Sequence, residues 1–438
     1  MKRICLVLAA FLAALLLSGC ALRTVEDMYS LPKRPESYNH LQSAIDAEMV
    51  GLSYSAPQSG ENQQTVQMAD LDGDGTVEYL LFAKSESEDP MRVLIFTQEK
   101  DGCQLLSTVC CQGTAFDRVE YVDIDGNPGM ELVVGRQLSD QLQGSVSVYS
   151  FHNGSPEQLL SAGYSEFLTC DLDGNGISEL FVLRTGESNA DKGVALLYSW
   201  HNGQLERSQE VDLSGPAGDV KRIMVSRLHE NVPAVYVASS ADGTAIVTDI
   251  FAMKNGAFAN ISLSNESGTS VRTLRNYYVY ADDIDDDGIL ELPRLITMAS
   301  DYSRGSQNHY LIRWFAMDLD GNEVDKMYTF HNFAGGWYLR LDDAWATQLT
   351  MEQSHQTYCF RIWDSGTRSN RQVFTVYALT GQNRDTEAVE DGRFVLYRTE
   401  GVVYAGLLAP AAADYGITQD NLINAFRLIQ QDWNSGET

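Results

Sequence analysis

The stretch Asp70-Leu71-Asp72-Gly73-Asp74-Gly75-Thr76-Val77-Glu78 decides the fold, because close copies of it recur along the chain. Each copy has Asp at positions 1 and 3, Asp or Asn at position 5 and Glu at position 9. We call the four copies loops 1 to 4. Loops 2 to 4 are Asp123-Ile124-Asp125-Gly126-Asn127-Pro128-Gly129-Met130-Glu131, Asp171-Leu172-Asp173-Gly174-Asn175-Gly176-Ile177-Ser178-Glu179 and Asp283-Ile284-Asp285-Asp286-Asp287-Gly288-Ile289-Leu290-Glu291.

Each loop brings several oxygen donors to one point. The side chains at positions 1, 3, 5 and 9 supply four, and the carbonyl at position 7 can add a fifth, which is the ligand set that Ca²⁺ prefers. The loop is shorter than an EF-hand loop, and a strand follows it where an EF-hand has a helix. The alternative is a set of ordinary Asp-Gly turns, which are common in β proteins. The sequence predicts about four structural Ca²⁺ ions, with these ligands: Asp70, Asp72, Asp74, Thr76, Glu78, Asp123, Asp125, Asn127, Gly129, Glu131, Asp171, Asp173, Asn175, Ile177, Glu179, Asp283, Asp285, Asp287, Ile289 and Glu291.

The loops also mark a repeat. Their first residues are 53, 48 and 112 residues apart, and the last interval is about two periods long. In the middle of that interval, Arg227 to Val235 keeps the apolar frame, but Arg227, His229 and Val235 stand at positions 1, 3 and 9. We interpret this segment as a repeat that lacks the metal site. Periods of this length are typical of stacked supersecondary units.

A second landmark recurs in phase with the loops. An aromatic strand ending in a Gly turn follows each of them, as in Val148 to Gly154 and Leu197 to Gly203. His152 and His201 occupy the same place in these two copies and are interpreted as turn residues. Asp318 to Asn322 imitates a metal loop, but Lys326 stands at its position 9, so the pattern predicts a hairpin turn there.

The strands of one repeat can be placed from these landmarks. In the first repeat they are predicted at residues 65–70, 77–84, 91–98 and 103–110, with apolar runs of the kind found in buried strands. About five such four-stranded units in residues 62–332 predict a mainly β fold, a β-propeller. Closure into a ring would hide most strand edges.

The acidic loop followed by a strand and a Gly-turn hairpin resembles the FG-GAP and VCBS-type repeats, which form the blades of integrin alpha-chain propellers and of bacterial surface proteins. The resemblance covers about residues 62–332. It implies that positions 1, 3, 5 and 9 of each loop bind Ca²⁺ between the first two strands of a blade. Integrin propellers have seven blades and this chain shows five repeats, so the blade number is not carried over.

The beginning of the chain predicts an anchor. Lys2 and Arg3 precede an apolar run at residues 4–17, and Leu17-Ser18-Gly19-Cys20 resembles the bacterial lipobox. The resemblance implies that residues 1–19 are a lipoprotein signal peptide and that Cys20 is lipidated, at about 0.8 kcal/mol of membrane affinity per buried CH₂. The alternative is a secreted protein with an accidental Cys. The protein is therefore expected on the extracytoplasmic face of a bacterial membrane.

Two flanking regions complete the predicted organisation. Residues 20–61 contain a polar tether and a helix from Pro35 to about Met49, for which the alternative is a disordered stalk. Residues 333–438 are predicted as a small α+β domain with six strands and a helix that Thr418 caps. The apolar face of that helix is expected to hold Leu422, Ile423, Phe426, Ile429 and Trp433. The segment from Gly336 to Trp345 faintly resembles PsbP/Mog1-like domains, and no residue is carried over from it.

Composition limits the partners. The formal net charge of −29 argues against nucleic acid and against an anionic lipid surface. The five Cys outside the predicted signal and lipid site show no regular spacing, so we expect mostly buried thiols, with one disulfide possible. The sequence has no G-x-S-x-G elbow, phosphate-binding Gly-rich loop or H-E-x-x-H, and we expect no enzyme activity.

These observations predict a monomeric, lipid-anchored, Ca²⁺-binding propeller that acts as a binding module for an unknown protein or glycan at the bacterial cell envelope. Two alternatives stay open at this point. One is a Ca²⁺-dependent enzyme that acts on envelope polysaccharide, and the other is an envelope assembly factor.

Overall fold

The computed structural model describes residues 36–99, 102–138, 144–152, 154–186, 191–241, 243–277, 279–299, 309–364, 366–367 and 369–429. The predicted signal peptide, the Cys20 lipid site, Pro35 and Trp433 lie outside these residues. In the described part of the chain, no helix is both long and apolar enough to cross a membrane.

The fold is mainly β, and its strands form six antiparallel sheets within the described residues. We number these sheets 1 to 6 along the chain. Sheet 1 contains β1 (Ser53–Tyr54), β2 (Val66–Ala69), β3 (Glu78–Lys84), β4 (Met91–Glu99) and β5 (Gly102–Cys111). Sheet 2 contains β6 (Ala115–Val122), β7 (Glu131–Gln137), β8 (Gly144–Ser150) and β9 (Glu157–Tyr164). Sheet 3 contains β10 (Glu166–Cys170), β11 (Glu179–Arg184), β12 (Val194–His201), β13 (Gln204–Arg207) and β14 (Val211–Asp212).

Sheets 4 to 6 follow the same up-and-down plan for most of their strands. Sheet 4 contains β15 (Val220–Arg227), β16 (Pro233–Ala241), β17 (Ala245–Lys254) and β18 (Ala257–Asn260). Sheet 5 contains β19 (Leu292–Thr297), β20 (Tyr310–Met317), β21 (Glu323–Asn332), β22 (Trp337–Leu341) and β28 (Phe426–Leu428). Sheet 6 contains β23 (Leu349–Ser354), β24 (Thr357–Asp364), β25 (Ser369–Leu379), β26 (Phe394–Arg398) and β27 (Val403–Leu408). The strands predicted in the first repeat and in the C-terminal region are present, with bounds shifted by a few residues at most.

Neighbouring sheets pack face to face through buried apolar side chains, since each strand presents alternate residues to opposite faces. One cluster joins sheets 1 and 2, and others join 2 to 3, 3 to 4, 4 to 5 and 5 to 6. Edge-to-face aromatic pairs contribute to three of these contacts. They are Phe82 with Phe116, Phe181 with Phe251 and Phe330 with Phe360, with ring centroids 5.1, 5.4 and 5.1 Å apart.

Helical segments pack on the first and last sheets. The predicted N-terminal helix is present as α1 (Glu36–Glu48), and its Ile45 packs on Leu81 and Phe96 of sheet 1. A short helix, α2 (Arg384–Glu387), ends at Ala388, which packs on Val403 and Ala405 of sheet 6. None of the apolar clusters among the described residues contains side chains of both sheet 1 and sheet 6, so the closure of the sheets into a ring stays a prediction.

The sequence predicts a separate α+β domain after residue 332, but the first strand of this region belongs to sheet 5. The predicted boundary at 332/333 falls inside sheet 5, between β21 and β22, which pair with each other. The last helix, α3 (Gln419–Ala425), begins at Thr418, whose side chain and that of Asn421 form a capping box, as the sequence predicts. It is shorter than predicted, because the chain turns extended at Phe426 and pairs with β22 as β28.

Candidate metal sites

The four acidic loops close in the same register. In each, the residue before position 1 lies opposite the Glu at position 9. Position 9 is the first residue of the strand that follows loops 1 to 3, and in loop 4 it directly precedes β19. The pairs are Ala69 with Glu78, Val122 with Glu131, Cys170 with Glu179 and Asp282 with Glu291. The apolar residue at position 2 is buried in every case, which fixes the loop on the core: Leu71, Ile124, Leu172 and Ile284.

The acidic side chains organise the loop backbone. In loop 1, the carboxylate of Asp70 accepts hydrogen bonds from the N–H groups of Gly73 and Gly75, at 2.8 and 3.0 Å. Both glycines have positive φ, of 74° and 85°, which other L-residues rarely adopt. Asp171 of loop 3 accepts the same bonds, at 2.8 and 2.9 Å. The loop therefore turns around its first carboxylate.

The Glu at position 9 is buried in all four loops. One oxygen of each accepts a hydrogen bond from the N–H at position 2, at 2.9, 2.9, 2.8 and 3.1 Å in loops 1 to 4. The second oxygen of Glu131 and that of Glu291 are buried without a hydrogen-bond partner, and so is Oδ1 of Asp285. A buried carboxylate oxygen without a partner is costly, and a bound cation would satisfy it. The donors present thus fit a hard cation.

Burial disfavours the charged form of these glutamates. It raises the pKa of Glu179 to about 7, with Asp173 and Asp171 adding to the effect. Burial, helped by Asp285, raises the pKa of Glu291 to about 8. The pKa values of Glu78 and Glu131 are raised for the same reason. A positive charge beside these carboxylates would favour their ionised form.

The structure brings three of the predicted ligands together in loops 1, 3 and 4. In each of these loops, carboxylate oxygens from positions 1, 3 and 9 lie within 4.8 Å of one another. The residues are Asp70, Asp72 and Glu78 in loop 1, Asp171, Asp173 and Glu179 in loop 3, and Asp283, Asp285 and Glu291 in loop 4. At position 5, Asp74, Asn175 and Asp287 accept hydrogen bonds from the N–H at position 7 of their own loops. The ligand roles of positions 5 and 7 stay predictions.

The loops of sheets 1 to 3 are joined in a row. The N–H of Met130 in loop 2 donates to the carbonyl of Asp70 in loop 1 at 3.1 Å, and the N–H of Ser178 in loop 3 donates to the carbonyl of Asp123 at 2.8 Å. The backbones approach closely, since a Cβ at Gly73 would lie 2.4 Å from the carbonyl carbon of Pro128. Loops 1 to 3 therefore form one continuous acidic edge.

Loop 2 differs from the others in its cluster. Its three grouped ligand atoms come from Asp125, Glu131 and His152, and His152 is a residue that the sequence interpretation treated only as a turn residue. His152 Nε2 lies 2.8 Å from Asp125 Oδ2. The contact of His152 with Asp125 could not be predicted from the sequence, because it depends on the register of β7 and β8. Hydrogen bonds from the Asn127 backbone and from His152 lower the pKa of Asp125, although burial acts in the opposite direction.

Loop 4 already has a cation beside it. Lys326 Nζ lies 2.5 Å from Asp287 Oδ2, 3.7 Å from Glu291 Oε1 and 3.9 Å from Asp285 Oδ2. Lys326 belongs to β21, which follows the Asp318 turn. In the sequence, this lysine only disqualifies that turn as a metal loop. Its ammonium group places a positive charge beside the buried carboxylate of Glu291.

We expect Lys326→Met to open loop 4 to calcium. Without the ammonium group, the predicted ligand side chains of loop 4 have no ion-pair partner among the described residues, since Arg340 pairs only with Asp286, which is not a predicted ligand. The variant should therefore bind one Ca²⁺ more tightly than the wild type at that loop. Equilibrium dialysis with metal analysis would give the number of Ca²⁺ bound per chain. Lys254→Met is the matched control, because Lys254 pairs with Asp320 at 2.9 Å outside the four loops. Equal Ca²⁺ binding by wild type and both variants would contradict this expectation.

Two segments imitate the acidic loops in sequence, and each connects two antiparallel strands. Between β15 and β16 the last pair is Arg227 with Pro233, so this connection is shorter than the acidic loops. Its buried Leu228 keeps the position 2 anchor without the acidic ligands. Asp318 to Asn322 forms the turn of the β20–β21 hairpin, where the N–H of Gly321 donates to the carbonyl of Asp318 at 3.0 Å.

Comparison with known proteins adds little to this geometry. No protein-family model and no curated protein matches the chain, so the resemblance to FG-GAP and VCBS-type repeats stays a prediction. Among solved structures, the chain is similar to the rhamnogalacturonan lyase YesW, with 13% identity, a TM-score of 0.29 and coverage of 85% of this chain and 77% of that one.

Two further structural neighbours are similar at the same level. A Lactobacillus plantarum protein has 10% identity and a TM-score of 0.26, and covers 72% of this chain and 85% of its own. A 6-phosphogluconolactonase-like protein from Bacteroides uniformis has 10% identity and a TM-score of 0.30, and covers 73% of this chain and 94% of its own. These neighbours include β-propeller-like proteins. TM-scores this low carry no argument about this chain's activity.

One expectation from the sequence is nevertheless contradicted. The chain was expected not to be an enzyme, yet the neighbours include a lyase and a 6-phosphogluconolactonase-like protein. The absence of familiar catalytic motifs from a sequence is by itself no ground for excluding enzyme activity.

Proposed function

We propose that this chain is a Ca²⁺-stabilised β-propeller of the FG-GAP and VCBS type, held at the bacterial cell envelope by a lipid on Cys20. The observation that carries the calcium assignment is the Glu at position 9. It is buried in four loops at one register, and its pKa is raised in each of them. A divalent cation offsets the repulsion among the carboxylates and ties the first two strands of a sheet together.

The four loops are not equivalent in this proposal. Loops 1 and 3 present oxygen donors only and take Ca²⁺ directly. In loop 4, Ca²⁺ has to displace the ammonium group of Lys326, so this site is the weakest of the oxygen-only loops. Loop 2 contains an imidazole nitrogen beside its carboxylates. The number of tightly bound Ca²⁺ ions is therefore below the four that the sequence predicts.

The role of the calcium-stabilised body is to bind a protein or glycan at the envelope. The row of joined loops gives the body a rigid acidic edge, and the predicted tether would keep that body close to the membrane. The identity of the ligand can be approached with a glycan array and with isolated envelope fractions, each with Ca²⁺ and with chelator. Binding that is lost in chelator and restored by Ca²⁺ is the expected result.

The anchor is tested separately from the calcium sites. We expect Cys20→Ser to release the protein from the membrane fraction of a bacterial host and to abolish labelling by a palmitate analogue. Loss of the acyl chains removes the affinity that holds the protein, at about 0.8 kcal/mol per buried CH₂. Cys103→Ser, a change in sheet 1, is the control and should leave both measurements unchanged. Persistent labelling of the Cys20→Ser variant would contradict the anchor.

A further inference from the structure

Loop 2 combines a histidine with its carboxylates. The Nε2 atom of His152 lies 2.8 Å from Asp125 Oδ2 and 3.5 Å from Glu131 Oε1. The two carboxylate side chains are almost completely buried, with 2% and 1% of their surfaces exposed, whereas the imidazole is 27% exposed. Three ligand atoms from three different side chains thus face one point near the surface.

The strands place His152 there. Tyr149 of β8 lies opposite Leu132 of β7, so the end of β8 runs beside the start of β7, where Glu131 stands. The pairing of β8 with β9 shifts register between Val148 and Tyr149 and continues to Ser150, the last residue of β8, and Phe151 is buried in the core. His152 follows directly, and its side chain reaches Asp125 of loop 2.

The next repeat shows that the sequence motif alone does not produce this arrangement. His201 occupies the same place before an Asn-Gly pair, but β12 continues through it, and it lies opposite Gln204 as an exposed residue. In loop 3 the grouped ligand atoms come from Asp171, Asp173 and Glu179 alone. The pair of histidines therefore provides one candidate ligand and one matched control in the same molecule.

A second observation points to a ligand at loop 2. Oε1 of Glu131 is buried and has no hydrogen-bond partner, although the residue is completely shielded from solvent. Its other oxygen accepts the Ile124 N–H at 2.9 Å. Loop 2 also has Pro128 at position 6, which has no N–H to donate to the first carboxylate as Gly75 and Gly176 do. The ligand oxygens of this loop are thus less satisfied by the protein than those of loop 3.

We propose that loop 2 is a site for a first-row divalent transition-metal ion, held by His152 Nε2, Asp125 and Glu131. A neutral imidazole nitrogen favours ions such as Zn²⁺ over Ca²⁺, which prefers oxygen ligands alone. Three protein ligands leave room for water in the coordination shell of Zn²⁺. The assignment depends on His152 and does not require that loops 1 and 3 bind calcium.

The test is Zn²⁺ binding to the purified full chain, stripped with chelator and then dialysed against Zn²⁺ in millimolar Ca²⁺. Bound Zn²⁺ per chain would be measured for the wild type, His152→Gln and His201→Gln. We expect the wild type and His201→Gln to bind alike, and His152→Gln to bind at least about tenfold more weakly, because it lacks a ligand. Nitrogen-15 NMR of the histidine rings should show a shift of His152 Nε2 on Zn²⁺ addition.

Three outcomes would overturn the proposal. These are equal Zn²⁺ affinity in all three proteins, displacement of Zn²⁺ from the wild type by equimolar Ca²⁺, or an unchanged His152 ring signal. Each of these outcomes would mean that His152 forms a hydrogen bond with Asp125 and does not bind a metal ion. Melting of metal-free His152→Gln checks that the variant folds. Ca²⁺ stabilisation measured on the same samples separates this proposal from the calcium assignment, since either can fail while the other holds.

Discussion

Addition of Ca²⁺ to the metal-stripped full chain should raise its melting temperature by at least about 5 °C. A ligand that binds only the folded state contributes about 2.7 kcal/mol when its concentration is a hundred times Kd, so two open loops contribute about 5 kcal/mol. Mg²⁺ should have a smaller effect, because it is reluctant to lose its water and requires near-octahedral geometry. Differential scanning calorimetry in chelator and across a Ca²⁺ titration would measure both.

The substitution Glu179→Gln should remove part of this rise without lowering the melting temperature in chelator. The amide oxygen can still accept the Leu172 N–H, which lies 2.8 Å from the Glu179 carboxylate, and the buried negative charge is gone. The same change at Glu206, an exposed residue of sheet 3, is the matched control and should leave the Ca²⁺ response unchanged. A Glu179→Gln variant equally destabilised in Ca²⁺ and in chelator would show that loop 3 is not a metal site.

The second large effect is on the pH dependence of stability. In chelator, the melting temperature should fall as the pH rises from about 5 to 8.5. Burial raises the pKa of Glu179 to about 7 and of Glu291 to about 8, from an ordinary value of 4.5. The folded state therefore holds protons that the unfolded state releases, and its advantage is present below pH 4.5 and lost as the pH rises through 7 and 8. The shift at Glu179 alone corresponds to roughly 3 kcal/mol.

Calcium should reverse the trend. Because the cation binds the ionised carboxylates, the rise in melting temperature on adding Ca²⁺ should be larger at pH 8 than at pH 5.5. Melting curves at several pH values, with Ca²⁺ and with chelator, would give both slopes, and Glu179→Gln should flatten the chelator slope near pH 7. A stability in chelator that rises steadily from pH 5 to 8.5 would contradict the burial of these charges.

The regular part of the fold could be predicted because it depends on local sequence. The loop pattern places Asp70 and Glu78 at a fixed separation, and the strand that follows is apolar. One short segment of sequence therefore specifies the junction between the loop and the strand. The positions of four such junctions then give the repeat. The buried leucines and isoleucines at position 2 belong to the same local pattern, which Leu228 keeps even where the ligands are lost.

The partners of loops 2 and 4 could not be predicted in this way. Lys326 reaches Asp287 from another part of sheet 5, and His152 reaches Asp125 across two strands. These contacts depend on the register of the strands, which leaves no residue signature. The similar motif around His201, with Trp200 in place of Phe151, leads to a residue outside the loop 3 cluster, so the His-Asn-Gly motif alone does not decide the contact.

The C-terminal segment shows a different limit. Leu422, Phe426 and Ile429 recur at helical spacing, so the pattern favoured one long helix. In the structure Phe426 is buried against Trp337, with ring centroids 5.5 Å apart, and its segment pairs with β22. Tertiary packing decided between helix and strand for a short apolar run, for which periodicity is a weak guide.

The return of β28 to sheet 5 has a consequence for the order of assembly during synthesis. All of sheet 6 lies between β22 and β28 in the sequence, so sheet 5 is completed only after sheet 6 has left the ribosome. Until then Trp337 and Leu339 lie on an unpaired edge strand, where another chain could add. A nascent or truncated chain that ends before Phe426 should thus aggregate through this edge, even though all four acidic loops are already complete.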